Sequence, residues 1–343
     1  MVQSNYSYLN ATTGSTGNSN IIDAAFSFII LALGFLAVFG NGFILLVIGN
    51  YKTLRSNLCN ALIGLLAIAD FASGIGLLIR GISNQIFEFT GYHDYTNIDC
   101  LLLGIVGIYS VHMSQMITIF IAVDRLKAVR DPFKYATQDN LKSSLTALIV
   151  SIGYSLFGAV IAFIGLDYNF RPEICATGSS VPTFYPPYWS LFTFIAAIIV
   201  FYSYARTALL LKKKLRNVKS SIEKKHLKRQ KEVFKAINIV LIVYAFCWCL
   251  PTFLTVGATI AQADAVIMGH LSSIIAVGTG INSSGNLFIY AWKHHEIGEH
   301  MRKFLNLKVN ASSRRSISTT HFEKPAATTG KQLAFATVAV KVT

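Results

Sequence analysis

Charge is scarce in this sequence. Only 13% of its 343 residues are Asp, Glu, Lys or Arg, against about 25% in a soluble domain, while 53% are hydrophobic. With a mean hydropathy of +0.51, an ordinary soluble domain is excluded and the chain falls in the membrane class. Acidic residues are the rarer sign, 16 against 30 basic, for a net charge of +14. Such a surplus raises nucleic-acid binding as a rival, but the apolar segments described next argue against it and no nucleic-acid partner is expected. The first 23 residues lack the basic start and short apolar core of a cleavable signal. Cys59, Cys247 and Cys249 have no partners at metal-ligand spacing and read as small packing residues. No cysteine follows the last apolar segment, so no palmitoyl anchor is expected on the tail. Repeats of the transporter kind are missing. His112 and His270 are the only mid-segment histidines, too few for an intramembrane hydrolase. These absences weigh against an enzyme and a transporter alike.

What is present is a series of long apolar runs. A bilayer core takes roughly 20 apolar residues per helix, and seven stretches qualify, at about 22–50, 57–80, 100–124, 143–165, 188–211, 236–260 and 265–291. The expected fold is an all-α membrane protein with seven spans over 22–292. A tail at 1–21 precedes them, an amphipathic helix at 293–305 follows, and 306–343 reads as a disordered cytoplasmic tail. With the N-terminus outside, only Arg80 and Arg171 of the 30 basic residues fall in outer segments, as the positive-inside rule requires. Seven of the 16 acidic residues lie there: Asp23, Glu88, Asp94, Asp99, Asp167, Glu173 and Asp264. Asn5 and Asn10 head glycosylation sequons on that side, while the Asn310 sequon lies inside and should stay bare.

Three further features carry chemistry. Of the five cysteines only Cys100 and Cys175 fall on the oxidising side. They are the plausible disulfide pair, tying the loop after the fourth segment to the top of the third; two free thiols are the alternative. At the inner end of the third segment stand Asp124 and Arg125, and an ionisable pair beside hydrocarbon is functional by default. An ordinary interfacial salt bridge is the bland reading. Asn41, Asp70, Ser114, Asn282, Ser283 and Asn286 are polar at mid-depth. A lone membrane carboxylate such as Asp70 must be neutral or matched. Hydroxyls and amides converging on it would match it, and they would form an oxygen-rich site open to a sodium ion. Inter-helix hydrogen bonding alone, worth about 0.6 kcal/mol per contact, is the plainer account of Ser114 and Ser283.

In their order and spacing these residues resemble a rhodopsin-like (class A) G-protein-coupled receptor over about 22–305. The pieces are Gly40-Asn41, Leu66-Ala67-Ile68-Ala69-Asp70, Cys100, Asp124-Arg125-Leu126, Pro132, Pro251 and Asn286-Leu287-Phe288-Ile289-Tyr290. The resemblance implies that Asp124 holds Arg125 at rest and that Arg125 is then freed to meet a G-protein α subunit. It also implies that Tyr202 and Tyr290 stabilise the open form, and that Asp70, Ser114, Asn282, Ser283 and Asn286 hold sodium. Departures from the pattern suggest the divergent nematode serpentine receptor class sx chemoreceptors. Leu287 replaces the usual proline, so any kink would fall to Gly285. The Cys-Trp order is reversed, so Cys249 takes the toggle position and Trp248 lies about 100° away on an α-helix. Lys231 stands where relatives carry an acidic lock partner, the fourth segment lacks its tryptophan and the fifth its proline.

Amine receptors of this type carry Asp where this chain has Gly107. Opsins need Lys at Gly280, and no Lys occurs from 264 to 292, which excludes retinal. The acidic outer face with Tyr92, Tyr95, Phe184, Tyr185, Tyr188 and Trp189 weakly favours a cationic or peptidic ligand, although an interfacial aromatic belt explains the rings as well. Gly107, His112, Gln115, Trp248 and Cys249 are the pocket candidates; His112 and Gln115 either face a ligand or satisfy neighbouring helices. Twelve basic residues between Arg206 and Lys235 face the inner side and suit anionic lipid and an acidic partner, or simply set topology. The expected protein is a plasma-membrane receptor, chemosensory with a sensory cilium as a candidate setting, or else a neuropeptide receptor. Its expected partners are an extracellular ligand, a heterotrimeric G protein, the lipid bilayer and arrestin, with no cofactor other than sodium.

Overall fold

The structure, a computed structural model, describes residues 16–172, 175–217, 234 and 242–307. The sequons at Asn5, Asn10 and Asn310, the tail from 308, Lys231 and most of the inner basic run lie outside the described residues. Seven long helices form the bundle: α1 (Thr16–Asn50), α2 (Leu58–Thr90), α3 (Asn97–Arg130), α4 (Asn140–Ile161), α5 (Tyr185–Asn217), α6 (Leu250–Ile260, entered through a π turn at Ala245–Cys249) and α7 (Ala265–Lys293). A short helix, α8 (His295–Phe304), follows. Six of these have a stretch long and apolar enough to cross a membrane, and α7, at 29 residues, completes the set. Among the described residues no strand occurs.

Polar residues between the apolar runs set where helices start and stop. Asn57, Asp139 and Asp264 accept the backbone N–H of Cys59, Lys142 and Ile267, which satisfies donors that the first helical turn leaves unpaired. Thr96 and Asp99 form a capping box at the start of α3. The second apolar run reads as ending near residue 80, yet α2 continues to Thr90. Gly81 does not interrupt it, and the helix stops at Gly91, whose φ of +64° is the left-handed stop that glycine adopts without strain. Arg80 therefore sits inside a helix and not in a loop.

The interior of α3 packs on α2, α4 and α5, so one helix touches both ends of the bundle's core. α7 runs unbroken through Gly285 and Leu287. Leu287 instead lies against Gly40 of α1, where an added methyl would meet its Cβ at 3.2 Å. In α6, Pro251 has no N–H to offer the Cys247 carbonyl four residues back. The turn widens accordingly, and Leu250 N–H reaches back five residues to the Ala245 carbonyl. Gly278 of α7 closes on that opening; any side chain there would collide with the Cys247 carbonyl oxygen. On α8, Ile297 and Met301 are buried against α1 and α7. Phe304 stands edge-on to Phe43 at 5.7 Å, while Leu305 is exposed beyond the helix end.

Candidate functional site: a cavity and an ion pair on one helix

At one end of α3, Arg125 Nε donates to Asp124 Oδ2 at 3.0 Å, and Nη2 contacts the same oxygen. Both side chains are under 10% exposed. Tyr135 completes the group: Arg125 Nη2 donates to its hydroxyl at 3.3 Å, and that hydroxyl donates to Asp124 Oδ2 at 3.4 Å. Tyr135 comes from a short helix, Pro132–Ala136, with proline at its first position, where a missing N–H costs nothing. Burial pushes the Tyr135 phenol above its ordinary value, which keeps its proton available for donation. Sequence reading missed Tyr135. Its signal was the Pro132 start of a one-turn helix, which places Tyr135 back under Arg125.

Midway along the bundle Asp70 is fully buried. Its Oδ1 accepts from the Ser114 and Ser283 hydroxyls, both at 3.2 Å, and its Oδ2 accepts from Asn286 Nδ2 at 2.6 Å. Asn41 ties the same region together by donating to the Ala37 and Ser283 carbonyls. Asn282 is buried but donates no hydrogen bond to Asp70 among those described. The side-chain oxygens of Asn41 and Asn286 are buried without a partner.

Toward the other end, the Cys100–Cys175 disulfide, with Cα atoms 5.3 Å apart, pins the α4–α5 loop onto α3. That loop turns inward, and Gly178 N–H donates to Ser272 Oγ of α7 at 3.1 Å. Beneath it opens a cavity of about 110 Å³, walled by α2, α3, the loop, α5, α6 and α7. Gly107, Ile108, Val111 and His112 of α3 line it, as do Tyr185 and Trp189 of α5. His112 Nδ1 pairs with the Ile108 carbonyl at 2.8 Å, and its ring lies among Tyr154, Tyr188 and Phe192. Among the described residues no Asp or Glu side chain lines the cavity, and the one charged wall residue is Arg80.

A family model described as serpentine type seven-transmembrane G-protein-coupled chemoreceptor Srsx matches residues 34–305. The chain belongs to the Srsx chemoreceptor family. Among curated proteins the receptor is similar to trace amine-associated receptor 8 of Homo sapiens, 25% identical over 90% of this chain and 92% of the relative. It is also similar to trace amine-associated receptor 13c of Danio rerio, 25% identical over 64% of this chain and 67% of the relative. Its fold matches squid rhodopsin with a TM-score of 0.70 at 16% identity, over 90% of this chain and 93% of that one. It is a multi-span membrane receptor that signals through a G protein in response to an extracellular ligand.

Several sequence expectations need correction within the receptor. Tyr202 points away from the bundle and is 61% exposed; Tyr204, 4% exposed, faces inward with Ala122 and Val200. Residues two apart on a helix lie about 200° apart, so only one of the pair can face the core. Gln115 does not line the cavity and donates to Thr193 Oγ1 at 3.0 Å instead. Trp248 is 4% exposed and packed on Val111, Ala197 and Tyr244, below the cavity and not in its wall. The π turn adds a residue to the helical path, which turns Trp248 inward where an uninterrupted α-helix would not. Cys249 faces a separate crevice between α5 and α6. The outer aromatics divide: Tyr185 and Trp189 line the cavity, Tyr95 is buried beside the disulfide, and Tyr92 and Phe184 are exposed.

Proposed function

We propose that an extracellular ligand enters the cavity beneath the disulfide and that its binding releases Arg125 to a G-protein α subunit at the cytoplasmic end. The supporting observation is that α3 serves both sites. Ile108 lines the cavity and Arg125 lies 17 residues further along the same helix, about 26 Å away at 1.5 Å per residue. A helix is stiff along its axis, so a small rotation at one end reaches the other. Trp189 in the cavity wall meets Trp248 edge-on at 6.4 Å, which gives the ligand a second contact route into α6. In this reading the N-terminus is extracellular, and Tyr204 and Tyr290, both buried toward the Arg125 end, steady the active form. Arrestin would read the same opened cytoplasmic face.

A two-state element is needed for such a switch. The Asp124–Arg125–Tyr135 group supplies one, because a guanidinium can exchange one set of oxygens for another. Asp124→Asn removes the resting partner and should raise ligand-independent nucleotide exchange about tenfold or more, since breaking a buried pair costs roughly 3–5 kcal/mol. Basal exchange at the wild-type level, measured at matched surface expression, would contradict the switch.

Sodium fits the middle of the bundle by its chemistry. Asp70 provides the charge, Ser114 and Ser283 provide hydroxyl oxygens, and the partnerless oxygens of Asn41 and Asn286 suit a hard cation, which takes oxygen ligands. A bound ion would hold α1, α2, α3 and α7 in the resting arrangement. Asp70→Asn should therefore abolish any dependence of agonist potency on sodium concentration, and a dependence that persists in the variant would end the assignment. The names of the relatives point to amines, yet Gly107 stands where such a ligand would need a carboxylate, and among the described residues no acidic side chain lines the cavity.

A further inference from the structure

We propose that the ligand is a small organic acid whose carboxylate pairs with Arg80. The inference rests on the receptor reading above and names the chemical class that the same cavity takes. Arg80 lies ten residues beyond Asp70 on α2, about 15 Å nearer the disulfide. Nη1 and Nη2 donate to the hydroxyls of Ser272 and Ser273, each at 3.3 Å. Nε is buried without a partner. Both bonds are long and both acceptors are neutral. No acidic side chain among the described residues pairs with this guanidinium.

The other arginines of the bundle differ in this respect. Arg125 is held by Asp124, and Arg171, the second basic residue toward the disulfide end, is paired with Asp94 on the surface. Among the described arginines, Arg80 is the one that lines the cavity. A guanidinium partly withdrawn from water without an anion is costly. The bland account makes Arg80 a tie between α2 and α7. A tie to two serine hydroxyls needs no charge, however, and the enclosed Nε rules out a side chain that has snorkelled fully into water.

The rest of the wall defines the remainder of the ligand. Leu77, Ile108, Val111, Trp189, Met268 and Ile275 offer apolar surface, while the fork of Arg80 matches a carboxylate in a planar, two-point fit. The ligand is thus an apolar body ending in one carboxylate. Acidic residues outnumber basic ones in the outer segments, but none of those described lines the cavity, so they affect approach more than occupancy. A peptide C-terminus presents the same group, and the probes below separate the two sources.

The test uses the full chain in cells with a promiscuous G-protein readout. The probes are monocarboxylic acids with alkyl and aryl bodies, their primary amides, the amines of the same frames, and short apolar peptides with free or amidated C-termini. Free acids should activate, and their amides should be about ten- to a hundredfold weaker, the range expected for a charged hydrogen-bond pair. Arg80→Gln should weaken the acids by a similar factor at equal surface expression, and Arg80→Lys should recover part of the loss. Free peptides outperforming every acid would replace the small-acid assignment with a peptide carboxylate. Unchanged acid potency in Arg80→Gln, activation by amides or amines equal to that by acids, or silence toward all acids would overturn the proposal. Asp124→Asn, read in the same cells, separates the two failures. Raised basal exchange beside silent acids sinks only the anion, whereas no rise sinks the receptor switch itself.

Discussion

Arg125→Ala will abolish ligand-stimulated nucleotide exchange while the protein still reaches the cell surface. Among the described residues at that end the guanidinium is the one group that is buried, cationic and held by partners it can leave, namely Asp124 and Tyr135. Once freed it can offer up to five N–H donors to backbone carbonyls of an inserted peptide. Losing several charge-assisted hydrogen bonds of about 1.5–3 kcal/mol each corresponds to more than about a hundredfold in coupling. Folding should survive, because Asp124 sits close to the membrane edge and keeps the Tyr135 hydroxyl as a donor. The measurement is exchange on purified G protein at saturating ligand, with surface protein counted in parallel. A variant that signals as the wild type does would leave the ion pair a structural contact and nothing more.

Cys175→Ser should be the most damaging single change at the opposite end. The bridge closes a separation of 75 residues, and for a free chain such a loop is worth roughly 4 kcal/mol, an upper bound when both ends are also held by helices. Its local role is the larger one. Thr177 and Gly178 line the cavity only because the loop is drawn down onto α3, and Gly104 has no side chain where Thr177 settles. Surface expression should fall severalfold, and the surviving protein should lose ligand response. Cys100→Ser with Cys175→Ser should be no worse than either alone, as expected for two residues that act as one unit. Full response in the single variant would show the bridge to be dispensable.

Much of this was readable from one dimension. Apolar run length, the bias of Lys and Arg, and two cysteines confined to one side are sums over local composition. They led to the seven spans, to the Cys100–Cys175 pair and to the association of Asp70 with Ser114, Ser283 and Asn286. The interacting ends of that polar group come from three helices, yet each member was already conspicuous as a polar residue in an apolar run.

Facing was not readable in the same way. Tyr202 and Tyr204 have the same hydropathy, and only the rotation of α5 selects the second for the core. Trp248 turns inward because Pro251 withholds an N–H and the turn before it widens, a local change of register that α-helical spacing cannot anticipate. Arg80 carried the largest consequence. Composition placed it near a loop, whereas the helix runs on to Gly91 and carries it into the cavity. That no described acidic side chain pairs with it emerges only when α2, α7 and the pinned loop are packed together. Hydropathy is a property of a segment, but an unmatched charge is a property of everything that surrounds it.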